Sequence, residues 1–149
     1  MRFFRCCAAV LGVLLSSVIV FAVGLMKNPY GDLWKFGRRT GAEYYLYSHS
    51  SQAEVVESVS WREYFYLTGE KSVFVFNSAA EAESQVLAWL KERRAHVIKE
   101  ECGEWGQSIY LQAEGLSREA VLFGEKVNAQ VVLSGAVVQI GFPLIFGGY

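Results

Sequence analysis

Few residues in this chain could do chemistry. Its 149 residues hold two histidines (His49, His96), three cysteines (Cys6, Cys7, Cys102) and one aspartate, Asp32. The one pairing with a catalytic logic is Cys102 with His96, because a thiolate nucleophile needs a base or a cation beside it. Such a pair would make the chain a small envelope thiol enzyme or hydrolase. The two lie six residues apart across an extended stretch, and Glu100, Glu101 and Glu104 beside the thiol disfavour its thiolate. The same glutamates with Glu114 lack the spacing of an EF-type calcium loop and read as a solvated acidic edge. Gly147-Gly148 precede only Tyr149, so they do not form a phosphate-binding loop. No catalytic, cofactor-binding or metal-binding residue is assigned, and the expectation is a protein that is not an enzyme.

The aromatic residues say more. Trp61, Tyr64, Phe65, Tyr66, Phe74 and Phe76 crowd one short region, more than a single helix can cover. Exposed aromatic surface marks contact with a partner or a glycan. Trp61, Tyr64, Tyr66, Phe74 and Phe76 are therefore the candidate partner-binding residues. The competing expectation, from two-layer packing, is that the C-terminal strands cover the second face.

The elements that must position these residues follow from periodicity. Residues 43–60 look extended, with a polar break at 48–52. In the next stretch Tyr64, Tyr66, Val73 and Val75 alternate with Phe65, Leu67, Phe74 and Phe76, and Thr68-Gly69-Glu70 reads as the turn of a hairpin. Ser78-Ala79-Ala80-Glu81 is a capping box that opens a helix over 78–94, with Ala79, Ala82, Val86, Trp89 and Leu90 on one face. Lys91, Arg93 and Arg94 suit its C-terminal dipole, which explains them without an anion site. A strand, a Gly-Glu-Trp-Gly loop and a second strand follow, then a tight turn at Gly124-Glu125. Gly69-Glu70-Lys71 and Gly124-Glu125-Lys126 echo each other, as a duplicated hairpin would; good turn chemistry explains the echo equally. The final twenty-three residues carry no charge, yet turn residues divide them into runs of strand length. Ser134-Gly135 pairs 127–133 with 136–141, and Pro143 needs an edge or a strand end. The expected fold is α+β: an antiparallel sheet of five to seven strands with one main helix packed on it.

Arg2 and Arg5 precede an uncharged run over residues 6–26, long enough to span a bilayer core of about 30 Å. Residues 1–26 are read as a signal anchor or signal peptide, 27–42 as a juxtamembrane linker and 43–149 as an exported domain. Within the linker, Trp34 and Phe36 with Lys35, Arg38 and Arg39 suit a headgroup surface, and a plain tether suits them as well. The short basic head favours sending the domain outward, although Lys27 and the basic residues after it compete. The domain is then outside the cytoplasmic membrane on a single pass, or secreted after cleavage. From Lys27 onward, 12 basic residues face 15 acidic ones, a balance that argues against nucleic acid as a partner. Cys102 is the single cysteine of the expected domain, so no disulfide forms within it.

Stretches 45–60, 67–74 and 126–133 and the ending Ile140-Gly141-Phe142-Pro143-Leu144-Ile145-Phe146-Gly147-Gly148-Tyr149 resemble the YwmB-like exported proteins of endospore-forming Firmicutes. Their ending runs Asn-x-Gln, a strand pair, then Gly-x-Pro before a terminal aromatic; Asn128, Gln130, Gly141, Pro143, Leu144 and Tyr149 occupy the matching positions. The resemblance implies a TATA-binding-protein-like α+β fold and an association with sporulation, but no catalytic residue. With one clear helix, the chain is short for the two-repeat form of that fold. The expected function is a membrane-tethered, non-enzymatic binding or assembly module of the cell envelope. Its expected partner is another envelope or sporulation protein, with no cofactor.

Overall fold

The structure, a computed structural model, describes Leu33 and residues 36–146. The apolar leader, Asp32 and Tyr149 lie outside the described residues, and with them the signal or anchor reading. Among the described residues no helix is long and apolar enough to cross a membrane.

The architecture is α+β. Among the described residues nine strands run β1 (Arg39–Leu46), β2 (Glu54–Val56), β3 (Leu67–Val75), β4 (His96–Gly103), β5 (Gly106–Gln112), β6 (Ala120–Leu122), β7 (Glu125–Val127), β8 (Ala129–Ser134) and β9 (Val137–Phe142). Among the described residues one α-helix, α1 (Ala79–Glu92), lies between β3 and β4. Seven strands form one sheet in the order β2-β1-β3-β9-β8-β5-β4, and β6 pairs with β7 apart from it. Every pairing is antiparallel. The sheet begins at Arg39, four residues before the start expected for the domain.

The helix forms where its sequence signals place it. The Ser78 hydroxyl accepts from the Glu81 amide at 3.2 Å, capping the first turn. The Glu81 carboxylate reaches one residue further back than a capping box requires, accepting from the Asn77 amide at 3.0 Å. Ala82, Val86 and Trp89 are the buried face, and Ala79 is exposed. Register puts Phe74 opposite Val138, and Ile140 opposite both Ser72 and Val131, so these side chains share the sheet face that meets the helix. Trp89 stands edge-on to Phe142 at 6.3 Å and to Phe36 at 6.4 Å, with Phe36 edge-on to Phe74 at 4.9 Å. Phe36 thus belongs to the core, not to a headgroup surface.

The uncharged tail supplies the centre of the sheet rather than a cover for it. β8 and β9 run in its middle, joined by a two-residue turn whose first residue, Gly135, has φ +58°. Most residues of these two strands are buried whichever face they take, which is why their sequence carries no charge. Pro143 falls immediately after β9, at a strand end, where its missing N–H breaks no ladder. Beyond it residues 143–146 fold back over the second face: Phe146 stands edge-on to Tyr45 at 5.1 Å, and the Ile145 amide donates to Gln130 Oε1 at 3.0 Å. A β-carbon on Gly141 would lie 2.7 Å from the Ile145 nitrogen, so only glycine admits this close approach.

The hairpin expected over 61–78 does not form. Thr68-Gly69-Glu70 lies inside β3, a continuous nine-residue strand, and residues Glu63–Tyr66 form a 3-10 turn. Gly69 is there for space: a β-carbon would sit 2.9 Å from the Phe142 carbonyl oxygen and 3.1 Å from the Tyr45 ring. Gly124-Glu125 does form its turn, with Phe123 at φ +55° and Gly124 at φ +78° between β6 and β7. The two Gly-Glu-Lys tripeptides therefore occupy unlike places, one mid-strand and one at a turn, and their echo marks no repeated hairpin.

Candidate aromatic platform

Residues 47–66 leave β1, make the short edge strand β2 and return to β3, and this excursion displays the exposed aromatics. Its first anchor is Tyr47, whose φ of +64° is rare for an aromatic residue. The Ser48 amide donates to the Leu46 carbonyl at 2.9 Å, closing a γ-turn around Tyr47. That hand of γ-turn is strained. Its surroundings hold it in place. The Tyr47 amide donates to the Tyr66 carbonyl at 3.0 Å, and the two rings lie 5.0 Å apart. The Thr68 hydroxyl sits 2.9 Å from the Tyr45 carbonyl oxygen and 2.6 Å from that of Ser48, one proton serving both.

The second anchor is a capping box. Ser60-Trp61-Arg62-Glu63 satisfies it in both directions: the Ser60 amide donates to Glu63 Oε2 at 2.8 Å, and the Glu63 amide donates to Ser60 Oγ at 3.4 Å. Those bonds from Ser60 hold the Glu63 carboxyl below its usual pKa. The box fixes the turn and leaves the Trp61 side chain projecting from it, 73% exposed, with the Arg62 guanidinium 5.2 Å over its ring. Phe65 and Tyr66, in the 3-10 turn that follows, are exposed, and so is Tyr47.

The candidate partner-binding set therefore divides. Trp61 and Tyr66 belong to this platform, and Tyr64 is half-buried. Phe74 is corrected to the core: it is 1% exposed beneath the helix, because β3 runs straight into the sheet. Phe76 is half-buried with its ring 5.6 Å from Phe36. Tyr47 was not among the candidates, and no local pattern marks a residue that tertiary contacts force to positive φ. The Ser-x-x-Glu at 60–63 was a legible signal, hidden by reading the aromatic run after it as strand.

The conceivable catalytic pair is not brought together. His96 and Cys102 open and nearly close β4, opposite Gln112 and Gln107 of β5. Six residues of strand span about 20 Å. Both side chains are exposed, as is His49 in the turn after β1. Glu100 accepts from Gln107 Nε2 at 3.1 Å, while Glu101 pairs with Lys99 at 2.6 Å and accepts from the Tyr110 hydroxyl at 3.2 Å. Lys99 keeps the Glu101 carboxyl below its usual pKa. Among the described residues no group of three or more His, Cys, Asp or Glu side chains could hold a metal ion.

The Asn-x-Gln pair is structural. Asn128 copies a peptide group: its Oδ1 accepts from the Ala113 amide at 2.7 Å and its Nδ2 donates to the Ala113 carbonyl at 2.8 Å. Gln130 Nε2 donates to Ser108 Oγ at 2.9 Å while its Oε1 holds the Ile145 amide. Both are buried, and each pins a segment that departs from the ladder.

Among the described residues two charged side chains are also buried, Glu70 and Lys71, and Lys71 pairs with Glu43 at 2.7 Å. Glu70 of β3 accepts from Arg39 at 2.6 Å and from the Ser72 hydroxyl at 3.2 Å. Burial nevertheless lifts its carboxyl above the usual range, outweighing the pull of Arg39. Its closest contacts lie within β1 and β3, so its role is in the sheet.

No family model, curated protein or solved structure matches the chain.

Proposed function

We propose that this chain is a non-enzymatic binding module of the cell envelope, tethered through its apolar leader, which engages another envelope protein through Tyr47, Trp61, Phe65 and Tyr66. The observation that carries the reading is Tyr47: an aromatic ring kept exposed at positive φ by a hydrogen-bonded frame. Folding gains nothing from an exposed ring held in a strained turn, and strain of this kind collects at functional positions. Trp61 adds what a binding anchor needs. It is large, exposed and preorganised by its capping box, so little entropy is lost when a partner covers it. The YwmB-like features of the sequence favour the same setting, an exported domain in a spore-forming cell.

A photoreactive amino acid replacing Trp61 in cells tests this. The expected result is a discrete cross-linked product containing an envelope protein, absent when the same amino acid replaces Val121 on the β6–β7 hairpin. A strain carrying Trp61→Ala with Tyr66→Ala should show the deletion phenotype, while His96→Ala with Cys102→Ala should complement it. Complementation by the aromatic double variant and failure of the His96 and Cys102 variant would reverse the assignment in favour of an enzyme.

A further inference from the structure

Resting on that binding reading, we infer that the segment docked on the platform is extended and cationic, a Lys- or Arg-bearing stretch of the partner protein lying along the free edge of β2. The first observation is charge. Residues 47–66 carry Glu54, Glu57 and Glu63 against Arg62 alone, with no lysine. Glu54 and Glu57 are exposed, and Glu54 pairs in register with Leu46, the residue before Tyr47. The Glu63 carboxylate closes the capping box next to Trp61 and is kept ionised there by Ser60.

The rings supply the second observation. Arg62 already lies over Trp61 at 5.2 Å, the arrangement in which an aromatic face attracts a cation. Tyr47 and Tyr66 present further ring surface to a charge of the same sign. An anionic lipid headgroup would instead meet three carboxylates.

Backbone is the third. β2 ends the seven-strand order: one of its edges pairs with β1, and among the described residues no strand pairs with the other. Its side chains are exposed or half-buried, and Val55 is half-exposed. An extended segment added to this edge would form main-chain hydrogen bonds along Glu54–Val56. Its alternate side chains would then reach the carboxylates and the rings.

The test uses the full chain in zwitterionic detergent and two labelled octapeptides, one alternating threonine with lysine and one alternating threonine with glutamate. Fluorescence anisotropy should show the lysine peptide binding at least tenfold more tightly than the glutamate peptide, and weakening as salt is raised. Glu54→Gln with Glu57→Gln should weaken it threefold or more, and Trp61→Ala tenfold or more, with unchanged circular dichroism. Equal binding of the two peptides, indifference to Trp61→Ala, no binding of either, or preferential binding to phosphatidylglycerol vesicles would each overturn the inference. Sequencing the peptide cross-linked at position 61 separates the two readings. A basic segment supports both, an acidic or neutral one removes the cationic partner and leaves the binding module, and no product removes both.

Discussion

Two aromatic clusters lie in this domain, and they differ in what surrounds them rather than in what they contain. Phe36, Phe74, Phe76, Trp89 and Phe142 meet edge to face between the helix and the sheet. Tyr47, Trp61, Phe65 and Tyr66 sit in solvent on the excursion around β2. In the first cluster the rings contribute by leaving water, and their geometry follows from packing. In the second, hydrogen bonds hold the geometry and the rings contribute nothing comparable to stability. A frame of Thr68, Ser60 and Glu63 around exposed rings is what distinguishes a prepared surface from scattered surface aromatics.

Substitutions should separate the clusters by effect. The largest loss is expected for Phe74→Ala, about 3–5 kcal/mol in urea unfolding, since a fully buried ring leaves a cavity under Trp89. Gly141→Ala should follow, at about 1–3 kcal/mol, because the new methyl meets the backbone of Ile145 and must displace residues 143–146. Loss of protection of the Ile145 amide in hydrogen exchange would register that displacement. On the platform, Tyr47→Gly should raise stability by about 1 kcal/mol by relieving the positive φ, while partner capture falls. A gain in stability with undiminished capture would erase the distinction between the clusters. Trp61→Ala should change stability by no more than about 0.5 kcal/mol.

A pH prediction sharpens the same contrast between buried and exposed groups. Glu70 is buried and its folded-state pKa is raised, so the stability it contributes is full below its unfolded value, about 4.3. That contribution is lost as pH rises through the raised folded value. Glu70→Gln should flatten this part of the stability profile without a loss at neutral pH, because the amide still accepts from Arg39. Glu63, exposed on the platform, has the opposite shift, so its contribution is present above its unfolded value and fades as pH falls through the lowered one. Urea midpoints of Glu70→Gln and Glu63→Gln across pH 3–8 check both directions.

Much of the fold was legible where the signal was local. The helix cap, the turn between β6 and β7 and the central C-terminal pair are encoded within a few residues each, by Ser78, by Gly124 and by Gly135. The first hairpin was misread because Thr68-Gly69-Glu70 uses turn vocabulary for another purpose. Its glycine clears space for the Phe142 carbonyl and the Tyr45 ring, which are distant in sequence. Exposure among the candidate residues was legible only in part: Trp61 and Tyr66 are exposed, Tyr64 and Phe76 are half-buried, and Phe74 is buried.

The amino-acid sequence by itself determined the class of fold, the position of the helix, an uncharged tail cut to strand length, and a stock of aromatic residues too large for one helix to cover. Those follow from period and turn chemistry, which act over a few neighbouring residues. Only the tertiary structure decided which rings went inside. Register across β3 and β9 turned Phe74 toward the helix, and the bonds from Thr68 and Tyr66 held Tyr47 outward against its own backbone preference. Burial depends on what lies opposite in the fold, and Phe142 lies opposite Glu70 of β3, seventy-two positions earlier in the chain.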